Sequence, residues 1–251
     1  MELNKLYCMD NLELMKTLPD KSIDLIYGDI LYGTGRKFKD YEDLKPNRKV
    51  IEDFYIPRIK EMYRLLKDTG SIYLQMDYRI VHWIRCIMDD VFGYDNFKNE
   101  IIWTYGSGGA NKSKYACKHD NILFYTKTDT YTFNAELIKE SRTEKSMNRA
   151  KNEKGARIKS DNALKLPTDV WNISIINSQA MERVGYDTQK PLELMDKIIK
   201  ASSNEGDILV DFFMGSGSFI VKAKELCRNY LGCDINSKAI EISKSRLNQI
   251  N

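Results

Sequence analysis

Long apolar runs, histidines and paired cysteines are all scarce in this 251-residue chain. No apolar stretch approaches the ~18 residues that a membrane helix needs, which argues against a helical membrane protein. The amino terminus, Met1-Glu2-Leu3-Asn4-Lys5, runs into mixed polar sequence without the apolar core of a signal peptide, so a cytoplasmic location is expected. Five cysteines, Cys8, Cys86, Cys117, Cys227 and Cys233, are odd in number and never spaced CxxC. They read as reduced thiols, not as a disulfide framework. The two histidines are His82, expected on a helix face, and His119, expected beside a strand; neither lies near a cysteine pair, so no metal site is expected.

What is present is a globular composition, 42% hydrophobic and 30% charged, in a chain long enough for one α/β domain with an insertion. Short buried strands at Leu6–Met9, Ile23–Gly28, Ser71–Met76, Glu100–Tyr105 and Asn121–Tyr125 alternate with helical patterns at Asn11–Leu18, Ile51–Leu66 and Ile80–Val91. The rhythm resumes with a helix from Pro191, a strand at Asp207, a helix from Ser218, a strand at Tyr230 and a helix from Ser237. That alternation predicts a mostly parallel sheet covered on both faces. Residues 126–181 break it, being polar, basic and weakly periodic, and read as an insertion between 1–125 and 182–251. A glycine loop, Gly106-Ser107-Gly108-Gly109, is expected between the fourth and fifth strands.

The stretch Ile208-Leu209-Val210-Asp211-Phe212-Phe213-Met214-Gly215-Ser216-Gly217-Ser218, with Gly232-Cys233-Asp234 beyond it, reads as strand, glycine turn, helix, strand and terminal acid. Gly215 and Gly217 can take positive φ and let a ligand approach bare backbone. Asp234 follows Gly217 by 17 residues, close to the about 20 at which Rossmann-like units place a carboxylate on ribose hydroxyls. A dinucleotide fingerprint wants a third glycine where Ile220 stands, so a phosphate-free adenosyl ligand such as S-adenosylmethionine (SAM) suits the turn better than NAD. The alternative is an ordinary strand-to-helix turn that happens to hold two glycines.

Asp29-Ile30-Leu31-Tyr32 ends a buried strand, where open α/β sheets place their chemistry. The lone pair of a base's exocyclic amine is delocalised into the ring. A carboxylate accepting a hydrogen bond from that amine, helped by a backbone carbonyl, frees the lone pair for methylation. A stacked aromatic ring holds the base in line, and in duplex DNA the nucleotide must first be flipped out. Asp29, the carbonyl of Ile30 and the ring of Tyr32 offer these groups.

Here the chain resembles the DNA amino-methyltransferases of restriction systems, in the β arrangement where the catalytic motif precedes the cofactor motif. The family's Asp/Asn/Ser-Pro-Pro-Tyr/Phe/Trp is represented by Asp29-Ile30-Leu31-Tyr32, with both prolines replaced. Its Asp-Pro-Phe-x-Gly-Ser-Gly-Thr is similar to Asp211-Phe212-Phe213-Met214-Gly215-Ser216-Gly217-Ser218, and its Thr-x-Lys-Pro to Thr188-Gln189-Lys190-Pro191. Segments Gly70–Asp77, Asn99–Trp103 and His119–Tyr125 extend the likeness. It implies a Rossmann-like, SAM-dependent methyltransferase fold with an inserted target-recognition region.

The resemblance implies that Asp29, Ile30 and Tyr32 are catalytic, with Asp29 also counted among the cofactor residues. It places Asp211 and Phe213 along the methionine end of SAM, and Gly215, Ser216 and Gly217 as backbone room. Thr188 and Lys190 would meet its carboxylate, Asp234 its ribose and Asp10 its adenine. For each polar residue the bland reading is a helix cap or a surface ion pair.

Asp at the first motif position inclines the resemblance to adenine N6, with cytosine N4 as the alternative. The net charge of +3 conceals a local excess: nine Lys or Arg face four Asp or Glu between Lys139 and Lys165. That suits phosphate contacts by the insertion on double-stranded DNA, or else a solvated loop. A cognate restriction endonuclease and a homodimer are further partners the resemblance raises. The missing prolines are the support for a second reading, a DNA-binding or specificity protein that kept the fold without turnover. A third, methylation of a protein glutamine, uses a motif that usually starts with Asn.

Overall fold

In a computed structural model, residues 1–37, 43–106, 110–144, 147, 164–177, 179–186 and 188–250 are described. Much of the basic stretch and residues 107–109 of the expected glycine loop lie outside them. Strands β1 (Lys5–Cys8), β2 (Ile23–Asp29), β3 (Leu66–Met76), β4 (Phe97–Thr104) and β5 (His119–Thr126) come first. Among them stand helices α1 (Asn11–Thr17), α2 (Arg48–Leu65) and α3 (Val81–Phe92). A two-stranded ribbon of β6 (Glu140–Ser141) and β7 (Leu164–Lys165) precedes β8 (Val170–Asn172). Then follow α4 (Leu192–Ser202), β9 (Ile208–Asp211), α5 (Ser218–Glu225), β10 (Asn229–Asp234) and α6 (Ser237–Leu247).

Eight strands form one sheet in the order β1-β10-β9-β2-β3-β5-β4-β8. Neighbours are parallel except at β3/β5 and β5/β4, so the sheet is mostly parallel, as expected. Alternation along the strands divides the core. Ile26, Ile72, Leu123 and Val210 join Met15, Ile59, Met62 and Met88 of α1, α2 and α3 on one face. On the other, Leu25, Tyr27, Tyr73 and Leu209 meet Leu194, Ile198, Phe219 and Ile240 of α4, α5 and α6. Truncating any of these fully buried aliphatic side chains to Ala costs about 2–5 kcal/mol.

Two elements depart from expectation. β3 starts at Leu66, directly after α2, instead of at Ser71; Leu66 pairs with Ile23 and Ser71 with Leu25, and the register shifts between them. Gly70 therefore lies inside the strand rather than closing the helix; a Cβ there would stand 2.9 Å from Leu66 Cδ2 and 3.2 Å from Asp24 O. Second, Val170–Asn172, within the expected insertion, pairs with Ile102–Thr104 as a parallel edge strand. Three residues with exposed Val170 and Asn172 carry too little periodicity to announce a strand. All five cysteines are free, His82 lies on α3, and His119 begins β5. No described helix is long and apolar enough to cross a membrane.

Candidate active site

β2 and β9 are neighbours, with Tyr27 opposite Asp211, yet the chain leaves them in opposite directions. From β9 it crosses through α5 to β10; from β2 it crosses through α2 to β3. The crevice at such a reversal is where open α/β sheets bind ligands. A cavity of about 390 Å³ opens there, lined by Asp10, Asp29, Ile30, Tyr32, Thr188, Lys190, Asp211, Phe213, Gly215, Ser216 and Asp234. Of the residues singled out in the sequence, Gly217 alone is outside that wall.

The β9–β10 side is held through backbone. Gly215 and Gly217 take φ of 51° and 75°. A Cβ on Gly217 would stand 2.8 Å from Ser243 Cβ and run into Ser243 Oγ, so this glycine is there to let α6 pack. Asp234 accepts from Gly215 N at 2.8 Å and from Asn236 N at 2.8 Å. Arg246, a buried side chain of α6, donates to Ser216 O at 2.7 Å and to Ser218 Oγ at 3.2 Å. Asp211 accepts from Phe213 N at 2.9 Å, which folds the strand end into the turn. Ile220 is fully buried, and it lies 3.3 Å from where a Cβ on Gly232 would stand, so a branched side chain fills the space of the absent third glycine.

Asp10 and Asp43, already bonded within the fold, line this cavity together with three further carboxylates, Asp29, Asp211 and Asp234. Burial raises the pKa of each of these three above the ordinary carboxylate value, Asp211 most strongly, and Asp29 and Asp234 raise Asp211 further by charge. A cationic ligand would relieve that repulsion and a pyrophosphate would add to it. The donor set therefore fits the sulfonium and ammonium of SAM and opposes a dinucleotide.

The β2–β3–β5 side is held through side chains. Asp29, the last residue of β2, pairs with Lys190, whose ammonium also lies 5.5 Å from the centre of the Tyr32 ring. Tyr32 OH stands 2.9 Å from Asp29 Oδ1 and 2.6 Å from Asp120 Oδ2. One phenolic proton cannot serve two carboxylates. Burial is the largest cause of Asp29's raised pKa; Lys190 opposes it and Asp120 adds to it. Gln75 Nε2 donates to Asp120 Oδ2 at 3.0 Å, and Gln75 Oε1 accepts from Tyr27 OH at 2.7 Å.

Some placements differ from the roles the resemblance implied. Asp10 caps α1, accepting from Leu12 N at 2.8 Å, and pairs with Arg58 at 2.8 Å; it borders the cavity while already serving the fold. Lys190 sits on Asp29 instead of standing ready for a ligand carboxylate. Tyr32 has its hydroxyl tied as well as its ring presented. Residues that motif reading did not single out complete the walls and supports. Arg58 donates to Asn11 Oδ1 at 2.7 Å while Asn11 Nδ2 holds Phe212 O at 2.9 Å, tying α2 to the cofactor turn. Asp43 accepts from Gly33 N, Thr34 N and Leu44 N and shapes the loop after Tyr32. Among the described residues no cluster of three metal-binding side chains comes together.

Solved structures share this architecture. The M1.HpyAVI–SAM complex aligns with a TM-score of 0.64 at 23% identity, over 97% of this chain and 98% of that one. The cytosine-N4-specific PvuII DNA methyltransferase aligns with a TM-score of 0.67 at 16% identity, over 99% and 94%. The fold is thus that of the Rossmann-like methyltransferases. The chain belongs to the DNA methylase family, whose model for N6 and N4 methylases matches residues 23–245. Type II methyltransferase M.HpaI of Haemophilus parainfluenzae is 34% identical over 244 residues, 97% of this chain and 74% of that protein. DNA adenine methyltransferase YhdJ of Escherichia coli (strain K12) is 31% identical over 240 residues, 95% and 80%.

Proposed function

We propose that this DNA methylase takes its methyl group from SAM and delivers it to the exocyclic N6 of adenine in a specific duplex sequence. The observation that carries the cofactor is the cavity at the strand reversal, with the carboxylates of Asp29, Asp211 and Asp234 around bare glycine backbone. When bound, SAM supplies a methyl group on a positive sulfonium. Asp211 and Phe213 would hold its methionine part, Gly215 and Ser216 would give it room, Asp234 would meet its ribose, and Asp10, with Thr188 and Lys190, would complete the wall. Gly217 contributes indirectly, by seating α6 against the turn.

Asp29 accepts a hydrogen bond from the target amine and, with the carbonyl of Ile30, draws the nitrogen toward tetrahedral geometry. Tyr32 supplies the ring against which the flipped base rests. Because Lys190 holds the Asp29 carboxylate and lies over that ring, it has to move aside as the base enters. The amine's lost proton passes to Asp29 and from there to solvent.

Adenine is favoured over cytosine by Asp at the motif's first position and by the adenine-methylating relative YhdJ. The cytosine-N4-specific PvuII enzyme shares the fold and keeps cytosine as the second reading. Residues 1–125 and 182–251 form the catalytic body in this reading, and 126–181 the recognition region, with Val170–Asn172 joining it to the sheet edge. A cognate endonuclease and a homodimer on a symmetric site belong to the same reading; sedimentation of the protein with and without a palindromic duplex tests the dimer. The enzymatic claim is tested with methyl-labelled SAM and mixed-sequence duplex DNA. Label in DNA supports it, and binding of SAM without label in DNA rejects it in favour of a binding protein.

A further inference from the structure

The loop Asp29–Tyr32 has neither of the prolines that would fix φ at its two middle residues. Each of its last three residues is instead tied to a different element. Ile30 N donates to Gln75 O at 3.1 Å, a bond that a proline at position 30 has no proton to make, and its side chain is buried in the core. Leu31 O accepts from Tyr55 OH at 3.1 Å. Tyr32 OH meets Asp120 Oδ2 at 2.6 Å, and Gln75 Nε2 stands 3.3 Å from the same hydroxyl.

Gln75 and Asp120 sit on adjacent strands, β3 and β5, and neither borders the cavity. Both are buried, Gln75 completely. A carboxylate held away from water is costly unless its bonds are satisfied. Asp120 has three donors around it, Tyr32 OH, Gln75 Nε2 and Tyr105 OH at 3.2 Å. One member of that set belongs to the motif, and the other two lock the set in place.

We infer that Asp120 and Gln75 are positioning residues that brace the Asp29–Tyr32 loop in the role the absent prolines would otherwise fill. The inference rests on the methylase reading given above. It makes the Tyr32 hydroxyl a structural tie of the loop, separate from the ring that meets the base.

The test is a double-mutant cycle on methyl transfer, using Tyr32→Phe, Leu31→Pro and both together. Tyr32→Phe keeps the ring and removes the tie; Leu31→Pro deletes none of the described hydrogen bonds and restores one stiff φ. Since a shift of about 1 Å costs on the order of a hundredfold, Tyr32→Phe is expected to lower kcat by roughly tenfold to a hundredfold with KM for SAM little changed. In the Leu31→Pro background the same change is expected to cost at most about threefold, because the proline already limits that shift. Loss of equal size in both backgrounds, no loss in either, or an inactive Leu31→Pro protein overturns the brace.

Asp120→Asn, which keeps an acceptor for Tyr32, is expected to stay near wild type, whereas Asp120→Ala falls with Tyr32→Phe and adds nothing to it. An Asn variant as poor as the Ala variant overturns bracing in favour of a charge requirement at Asp120. Crystal structures of wild type and Asp120→Ala decide the point without turnover: Tyr32 displaced in the variant supports the brace, and Tyr32 unmoved overturns it. An inactive wild type with Tyr32 displaced in the variant would count against the methylase reading while leaving the brace standing.

Discussion

The two sides of the crevice are built on different principles. On the β9–β10 side the shape is set by backbone: positive φ at Gly215 and Gly217, carboxylates accepting from backbone N–H groups of the two strand-end turns, and α6 pressed close through Ser243 and Arg246. On the β2–β3–β5 side it is set by a relay of side chains, Lys190, Asp29, Tyr32, Asp120 and Gln75, drawn from positions as far apart as 161 residues. A backbone device tolerates little substitution but needs few partners. A side-chain device accepts an altered loop, such as one without prolines, provided its distant partners are present.

The sharpest way to separate the two sides is Asp29→Ala. Losing the acceptor for the amine is expected to cut kcat by about 10²–10⁴-fold, while SAM affinity, measured by calorimetry, falls by at most about tenfold, one charged partner's worth, because Asp211, Asp234 and the backbone side are intact. Transfer at the wild-type rate would dissolve the division. Gly217→Ala strikes the other side. A Cβ in that left-handed conformation against Ser243 is expected to cost about 1–3 kcal/mol of unfolding free energy and to weaken SAM binding. Chemical denaturation alongside calorimetry reads both, and unchanged values would show that α6 does not seat the turn.

A smaller effect is expected from Asp234→Ala, which removes the acceptor from Gly215 N and Asn236 N. SAM affinity should fall by about tenfold, the scale of one charge-assisted hydrogen bond. The same variant should leave kcat at saturating SAM near wild type, and a collapse of kcat with SAM affinity unchanged would move Asp234 to the chemical side.

The smallest effect concerns acidity. Burial first, then the charges of Asp29 and Asp234, raise the pKa of Asp211. Its folded form therefore holds a proton more tightly than the unfolded chain does. That stabilisation is complete below about pH 4, the unfolded value, and is lost as pH rises through the raised folded value. Asp211→Asn, neutral throughout, should raise Tm by a few degrees at pH 8, and the gain should shrink toward acid pH. It should weaken SAM binding at the same time. A variant less stable than wild type at pH 8 would contradict the sign. By the same logic Asp29, also raised by burial, places the acid limb of the rate profile above the ordinary carboxylate range, since the ionised form is the acceptor.

The contrast also explains what could be read from the chain alone. The backbone side was legible because its residues are consecutive: Asp211 to Ser218 fold locally, and a glycine at positive φ announces itself as a glycine. The strands and helices of the body were legible from periodicity, because both faces of the sheet are covered. The partners of Tyr32 were not. Gln75 and Asp120 lie 43 and 88 residues beyond it, and only strand order brings β5 beside β3. Their presence in segments similar to the family, Gly70–Asp77 and His119–Tyr125, was the available signal, without a role attached. Lys190 was placed by the resemblance on a ligand carboxylate, whereas its ion pair with Asp29 depends on how the chain just ahead of α4 meets the end of β2, 161 residues earlier.

The adenine assignment is tested most directly by incubating the protein with SAM and duplex DNA, digesting the DNA to nucleosides and identifying the methylated one by mass spectrometry against standards. The expected product is N6-methyldeoxyadenosine, formed by wild type and missing with Asp29→Ala. N4-methyldeoxycytidine as the product, or no methylated nucleoside from a protein that binds SAM, would contradict it.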